Sequence, residues 1–179
     1  MAKKRPPKTP RAKQPSQREA SAPSGKGNVA GASKLRLESP ELGQSLYARM
    51  GQLVGQPIRS EMDLVVMVTT GLPAKSVGTL KQAVELDTEL VAPETTLRRR
   101  IQEKRPLSTD ESERMIRIAR ITSLAERLFD DRELAHAWMN APARYIDGAE
   151  PITPMALSAT DPGARLLESI ILRTEYGMF

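Results

Sequence analysis

From residue 40 onward the apolar positions recur at intervals of three and four, the spacing that gathers side chains on one face of a helix. Leu42, Leu46, Met50 and Leu53 predict a first helix, with Pro40 near its start and Gly55-Gln56-Pro57 as its stop. The run Leu64-Val65-Val66-Met67-Val68 has no period that separates helix from strand. Its neighbours are helical, so it is read as a buried helix ending at Gly71. Pro73 is placed to open the next helix at its first position, with Val77, Leu80, Lys81 and Val84 repeating on one side. Residues 86–91 predict a short helical turn, broken before Pro93. A helix from 94 to about 104 follows. Placing Leu97 and Ile101 inward puts Thr95, Arg98, Arg99 and Gln102 on the opposite, exposed arc.

Ser108-Thr109-Asp110-Glu111 is a capping-box pattern with acids in the first turn. The helix it opens runs to about residue 129, and Met115, Ile118, Ala119, Thr122, Ala125, Leu128 and Phe129 form a broad apolar face. Arg114, Arg117 and Arg120 lie along a neighbouring flank, with Glu113 able to pair with Arg117. A shorter helix over 132–140 carries Leu134, Ala135 and Trp138 inward, and residues 142–160 read as loop-rich. Asp161-Pro162 starts the last helix, whose apolar face continues through Leu166, Leu167, Ile170, Ile171 and Thr174. No strand and no repeat is evident. The fold class is all-α.

Gly177 stands where that helix should stop, because glycine takes the left-handed C-terminal conformation without a Cβ penalty. Met178, Phe179 and a carboxylate then project beyond it, in a region where chains are usually polar and frayed. Two readings stand: the tail enters a pocket on another molecule, or Phe179 folds back over the chain's own core.

Composition narrows the function. The 179 residues suffice for one domain or two small ones. With Cys 0, disulfides, thiolate zinc sites and a cysteine nucleophile are excluded. His136 is the one histidine, expected as a solvated side chain, and Asp130-Asp131 reads as a helix-end turn. No glycine-rich phosphate loop, nucleophile elbow or metal-binding histidine pair is present, so no catalytic residue, metal or cofactor is expected. No apolar run approaches the ~20 residues that span a bilayer, and the basic N-terminus lacks the apolar stretch of a secretory signal. A soluble, cytoplasmic protein is expected, with no membrane partner.

The net charge of +5 divides unevenly. Residues 1–34 hold nine Lys and Arg against Glu19, a local +8, which leaves 18 basic and 21 acidic residues, −3, for the rest. That segment is rich in Lys, Arg, Pro, Ser and Gly and has too little apolar surface to fold, so a disordered basic arm is expected. Either it adds non-specific attraction to phosphates or it is a solubilising extension. In the remainder, Thr95-Thr96-Leu97-Arg98-Arg99-Arg100 is the best candidate for nucleic-acid contact. A short helix, a tight connection at Ala92-Pro93 and a helix with hydroxyls and arginines near its start resemble a helix-turn-helix. Arginine can read guanine bidentately, and Thr and Gln can bond bases or phosphates. The plainer reading is a solvated arginine face.

Taken in order, these segments resemble the Xre/MbcA/ParS antitoxin family. The resemblance rests on Gly71-Leu72-Pro73, Thr96-Leu97-Arg98-Arg99-Arg100, Leu107-Ser108 with Glu111-Ser112-Glu113-Arg114, and Arg117-Ile118-Ala119-Arg120. It continues through Phe129, Ala137-Trp138, Pro142, Gly148 with Pro151, Gly163-Ala164-Arg165 and finally Arg173, Glu175-Tyr176-Gly177 and Phe179. The resemblance covers residues from about 60 to 179 and implies a helix-turn-helix domain over 59–106 and a toxin-binding domain over 107–179; the basic arm over 1–34 and the amphipathic helix and linker over 35–58 precede it. The implied partners are a RES-domain toxin that consumes NAD, operator DNA, and a second copy of the chain in a toxin–antitoxin hetero-oligomer. The implied DNA contacts are Thr95, Thr96, Arg98, Arg99 and Gln102. The implied toxin contacts are Trp138, Ile170, Arg173, Glu175, Tyr176, Gly177, Met178 and Phe179, with the C-terminal end blocking the toxin's active site. Two departures stand out: residues 84–95 are about a turn shorter than the family's first helix-turn-helix helix, and the 151–163 loop is slightly longer. The alternative, from a different class, is a stand-alone DNA-binding regulator or nucleoid-associated protein.

Overall fold

Local capping decides where most helices begin. The computed structural model describes residues 40–177, with side chains from residue 45. The expected basic arm, the side chain of Leu42, Met178 and Phe179 lie outside the described residues. Eight α-helices follow one another: α1 Pro40–Val54, α2 Glu61–Thr70, α3 Ser76–Val84, α4 Glu94–Gln102, α5 Thr109–Phe129, α6 Arg132–Asn140, α7 Pro154–Ser158 and α8 Asp161–Glu175. The expected capping box at Ser108 is formed: the Glu111 amide donates to the Ser108 hydroxyl, and Glu111 accepts from the Ser108 amide at 2.7 Å. Ser60 and Asp63 make a second one at α2. Thr153 and Thr160 cap α7 and α8, each with a proline in the first helical turn. Asp130 and Asp131 are turn residues as expected: the first ends α5 at φ +51°, and the second caps α6.

α5 is the axis of the molecule. It packs against α1, α2, α6, α7 and α8. From Ile118 to Glu126 every residue except Arg120 is buried, well beyond the single apolar face expected. A stretch covered on nearly every side leaves little solvent face for periodicity to reveal. All described residues belong to one compact unit, and α5 runs through it without a break. Two isolated antiparallel bridges, Pro73 with Pro106 and Ala143 with Ile152, are its only extended pairing among the described residues. None of the described helices is long and apolar enough to cross a membrane.

Three expectations need correction. α2 is not a buried helix: Leu64 is buried, but Met62, Val65 and Val66 are more than half exposed, since neighbours cover one side only. Pro73 does not open α3. It lies in the bridge to Pro106, and a turn bonded from the Ser76 amide to the Pro73 carbonyl comes between. On α6, Leu134 points outward and Met139 takes the inner place beside Ala135. The loop-rich stretch 142–160 holds one short helix, α7.

Candidate functional site

α4 is shallowly embedded: Leu97 is its one buried residue. Thr95, Arg98, Arg99 and Gln102 are exposed, as the spacing implied, and Thr96 is half-buried. Ile101 was expected inward and is 52% exposed, because no neighbouring helix covers that edge of α4. Arg98 pairs with Glu94 at 3.3 Å, an exposed contact too weak to hold it from another anion. Arg100 faces the protein instead, donating to the Pro106 carbonyl at 2.9 Å and to the buried Glu111 at 3.3 Å.

The helix that precedes α4 is α3, not the stretch 84–95. Val77, Leu80 and Val84 anchor α3 in the core, and it ends at Glu85 in the left-handed conformation. A nine-residue connection, 85–93, with a 3₁₀ turn at Thr88–Leu90, leads to α4. The stretch 84–95 thus holds the end of α3, this 3₁₀ turn and the start of α4. α3 and α4 enclose an open groove lined by Val77, Lys81, Thr88, Leu97, Ile101 and Gln102, among others.

A second concavity opens at the other end of α4. This cleft, about 500 Å³, lies between residues 71–75 and 100–106 and is bordered by Pro73, Lys75, Ile101, Lys104, Arg105 and Pro106. Its walls are tied together: the Leu107 amide donates to the Leu72 carbonyl at 2.8 Å, and Gly71 holds φ +83° where a Cβ would come 2.3 Å from the Leu107 carbonyl oxygen. The sequence reading passed over Lys75 and Lys104. They are 29 residues apart, and each alone resembles any surface lysine.

At the opposite end of the chain, α8 buries Leu167 and Ile171, while Ile170 is half-buried and Arg173 and Thr174 are exposed. The helix stops where expected, with Gly177 at φ +64°. Tyr176 is 54% exposed at this end. Glu175 is joined to Arg127 of α5 at 2.7 Å, so the last turn of α8 is clamped to the central helix. Trp138, on α6, is half-buried against Phe129 with ring centroids 6.0 Å apart. It stands on a different helix from the other residues implied for toxin contact.

A charged cluster joins α1, α5 and α6. The nearly buried Glu126 carboxylate accepts from Arg49 of α1, with Nη2–Oε1 at 2.7 Å, and lies 3.2 Å from Nε2 of His136. His136 is thus not a free solvated side chain, as expected from the sequence. Burial pushes the Glu126 carboxyl up, but the hydrogen bonds and charges of Arg49 and His136 outweigh it and hold it below its ordinary value.

An all-helical unit with an exposed polar helix following a core-anchored one has the architecture of a helix-turn-helix protein. Residues 63–120 match the model of the antitoxin Xre-like helix-turn-helix domain, and residues 124–177 that of the antitoxin Xre/MbcA/ParS C-terminal toxin-binding domain. With both domains matched in order, the chain belongs to the Xre/MbcA/ParS antitoxin family. Its relatives include the Antitoxin Xre of Pseudomonas putida, 29% identical over 134 residues, a match that takes in 73% of this chain and 82% of the relative. The two domain models meet inside α5, so the central helix serves both.

Proposed function

We propose that the chain neutralises a RES-domain, NAD-consuming toxin by direct contact, the segment beyond Gly177 entering the toxin's active site. The observation that carries this reading is the toxin-binding match over 124–177, whose last helix ends with an exposed Tyr176 and a clamped Glu175. The clamp gives whatever follows a defined origin, and a large aromatic such as Phe179 contributes about 1.5–3 kcal/mol when buried. Trp138, Ile170 and Arg173 belong to the same proposed surface. The test is NAD consumption by the purified toxin with intact antitoxin and with Tyr176, Gly177, Met178 and Phe179 removed. Release of activity by the shortened chain is expected. Equal inhibition by both would remove the plug from the mechanism.

The same reading makes the chain a cytoplasmic repressor of its own promoter, acting as a homodimer on a two-fold operator through Thr95, Thr96, Arg98, Arg99 and Gln102 of α4. Arg98 and Arg99 are exposed on the free arc of α4, in the position that such a role requires. Arg99→Ala should weaken operator binding by about 1–3 kcal/mol if the side chain reads a base, and lower the salt slope if it holds a phosphate. Gel-shift titration at several salt concentrations distinguishes these, and inhibition of the toxin should be unchanged. An unaltered operator affinity would take Arg99 out of the interface.

A further inference from the structure

Two lysines on the cleft at the C-terminal end of α4 occupy positions that folding alone would assign to other residues. Lys104 has φ +54°. It follows the cap residue Glu103 in a Schellman-type turn, with the Arg105 amide bonded to the Arg100 carbonyl at 2.8 Å and the Lys104 amide to the Ile101 carbonyl at 3.2 Å. Glycine is the residue that takes this conformation without strain. Lys75 is the cap residue of α3 and makes no side-chain capping bond. Its own backbone is already helical, at φ −63° and ψ −22°, and a cation at a helix N-terminus opposes the helix dipole. Both side chains border the same cleft, and neither makes a hydrogen bond or ion pair among the described residues.

The charges around α4 have a direction. Glu85, Asp87 and Glu89 are exposed on the connection that leads into its N-terminus, and Glu94 lies in its first turn. Lys75, Lys104 and Arg105 gather at the other end, beside the exposed Ile101. No carboxylate lines the cleft, although Glu103 reaches Arg105 at 3.0 Å from outside it. A polyanion lying along the free arc of α4 would meet its strongest electrostatic hold at the second end.

We propose that this cleft is a phosphate-holding site for duplex DNA, with Lys75 and Lys104 as its cations and Ile101 as an apolar wall against the sugar. The site is continuous with the arc of Arg98, Arg99 and Gln102 on the same helix, and its walls are pre-tied, so little ordering is needed when a strand enters. The inference rests on the operator reading above. It adds the point at which the backbone is held, in residues outside the recognition arc.

The test uses the full chain carrying Lys75→Ser and Lys104→Gly together. Lys104→Gly suits the left-handed backbone and Lys75→Ser removes a cation from a helix N-terminus, so thermal unfolding should show a midpoint equal to or above wild type. Binding to a promoter duplex and to an unrelated duplex of the same length is followed by fluorescence anisotropy across salt. Loss of two phosphate contacts should lower the log–log salt slope by about 1.8 and raise Kd on the order of tenfold or more at about 0.1 M salt, for both duplexes. The basic N-terminal segment is the same in both proteins, so the difference belongs to the cleft. If wild type binds and the variant keeps its slope, the cleft is not a phosphate site, and the operator reading stands without it. Absence of duplex binding by wild type itself would overturn both. Unchanged DNA binding with weakened toxin inhibition would overturn the proposal and assign the cleft to the toxin.

Discussion

Gly163→Ala is expected to lower stability by about 3 kcal/mol, the upper end of what overpacking costs. Gly163 is buried in the first turn of α8, where its amide donates to Oγ1 of the capping Thr160 at 3.2 Å. A Cβ there would lie 2.1 Å from the Leu157 carbonyl oxygen, 2.6 Å from Thr160 Oγ1 and 2.8 Å from Leu157 Cδ1. A leucine tip can turn aside, but a carbonyl at the end of α7 cannot move without opening the α7–α8 corner. That corner is also held from α5, since Arg117 donates to the Ala159 carbonyl at 3.0 Å. Alanine's helix propensity returns roughly 1 kcal/mol at most, so the steric cost prevails. At about 2–4 °C per kcal/mol for a chain of this size, the thermal midpoint should drop by roughly 6–12 °C. Gly78→Ala is the matched control. It sits in α3 with nothing within 4 Å of the added Cβ, and should raise stability by about 0.5–1 kcal/mol. Equal midpoints for Gly163→Ala and wild type would contradict the packing of α7 on α8.

The second large effect is expected at Glu126. Glu126→Ala leaves the Arg49 guanidinium and the His136 ring facing an empty, nearly closed site. Removing one partner of a fully buried pair costs about 3–5 kcal/mol. Arg49 keeps 21% of its side chain in solvent and retains a bond to Gln52 at 3.0 Å, so about 2–3 kcal/mol is expected here. The pH dependence has a definite sign. The carboxyl titrates below its ordinary value of 4.5, so the stability it contributes is complete above that value. It is lost as pH falls below 4.5, through the depressed value of the folded state. Denaturant titrations at pH 7 and in steps below pH 5 should show wild type losing stability in acid more steeply than Glu126→Gln. Parallel profiles would mean that the Arg49–Glu126 pair is not formed in solution. Because the pair joins α1 to the helix that both domain models share, α1 should loosen first in the alanine variant, with early loss of amide protection around Met50 and Leu53.

The places where the sequence reading failed have one physical character. Leu64, Val65, Val66, Met67 and Val68 are nearly alike in polarity, so nothing in the run says which of them a neighbour will cover. Ile101 and Leu134 fall on plausible inward stripes of short helices, yet each is left at an edge that no other helix reaches. Met139 was overlooked for the opposite reason, as it lies at the end of a helix whose inner side only the packing of α6 on α5 and α7 defines. The pairing of His136 and Glu126 spans two helices, and Lys75 with Lys104 is brought together by the Pro73–Pro106 bridge. Neither can be read from intervals along the chain.

What the residues alone determined is local in origin. The all-α class, the starts of α5 and α8, the stop at Gly177 and the free arc of α4 follow from periodicity, capping and the conformational range of glycine, each acting within a few positions. The order of motifs was equally legible, since a resemblance is itself a property of the linear chain. Tertiary structure decided that α3 and α4 line one groove, that α5 is buried from Ile118 to Glu126 apart from Arg120, and that Glu175 is joined to Arg127. It also decided that two distant lysines border one cleft. These depend on which surfaces meet. Burial, ion pairing and concavity are properties of pairs of elements, and no single element's residues specify its neighbours.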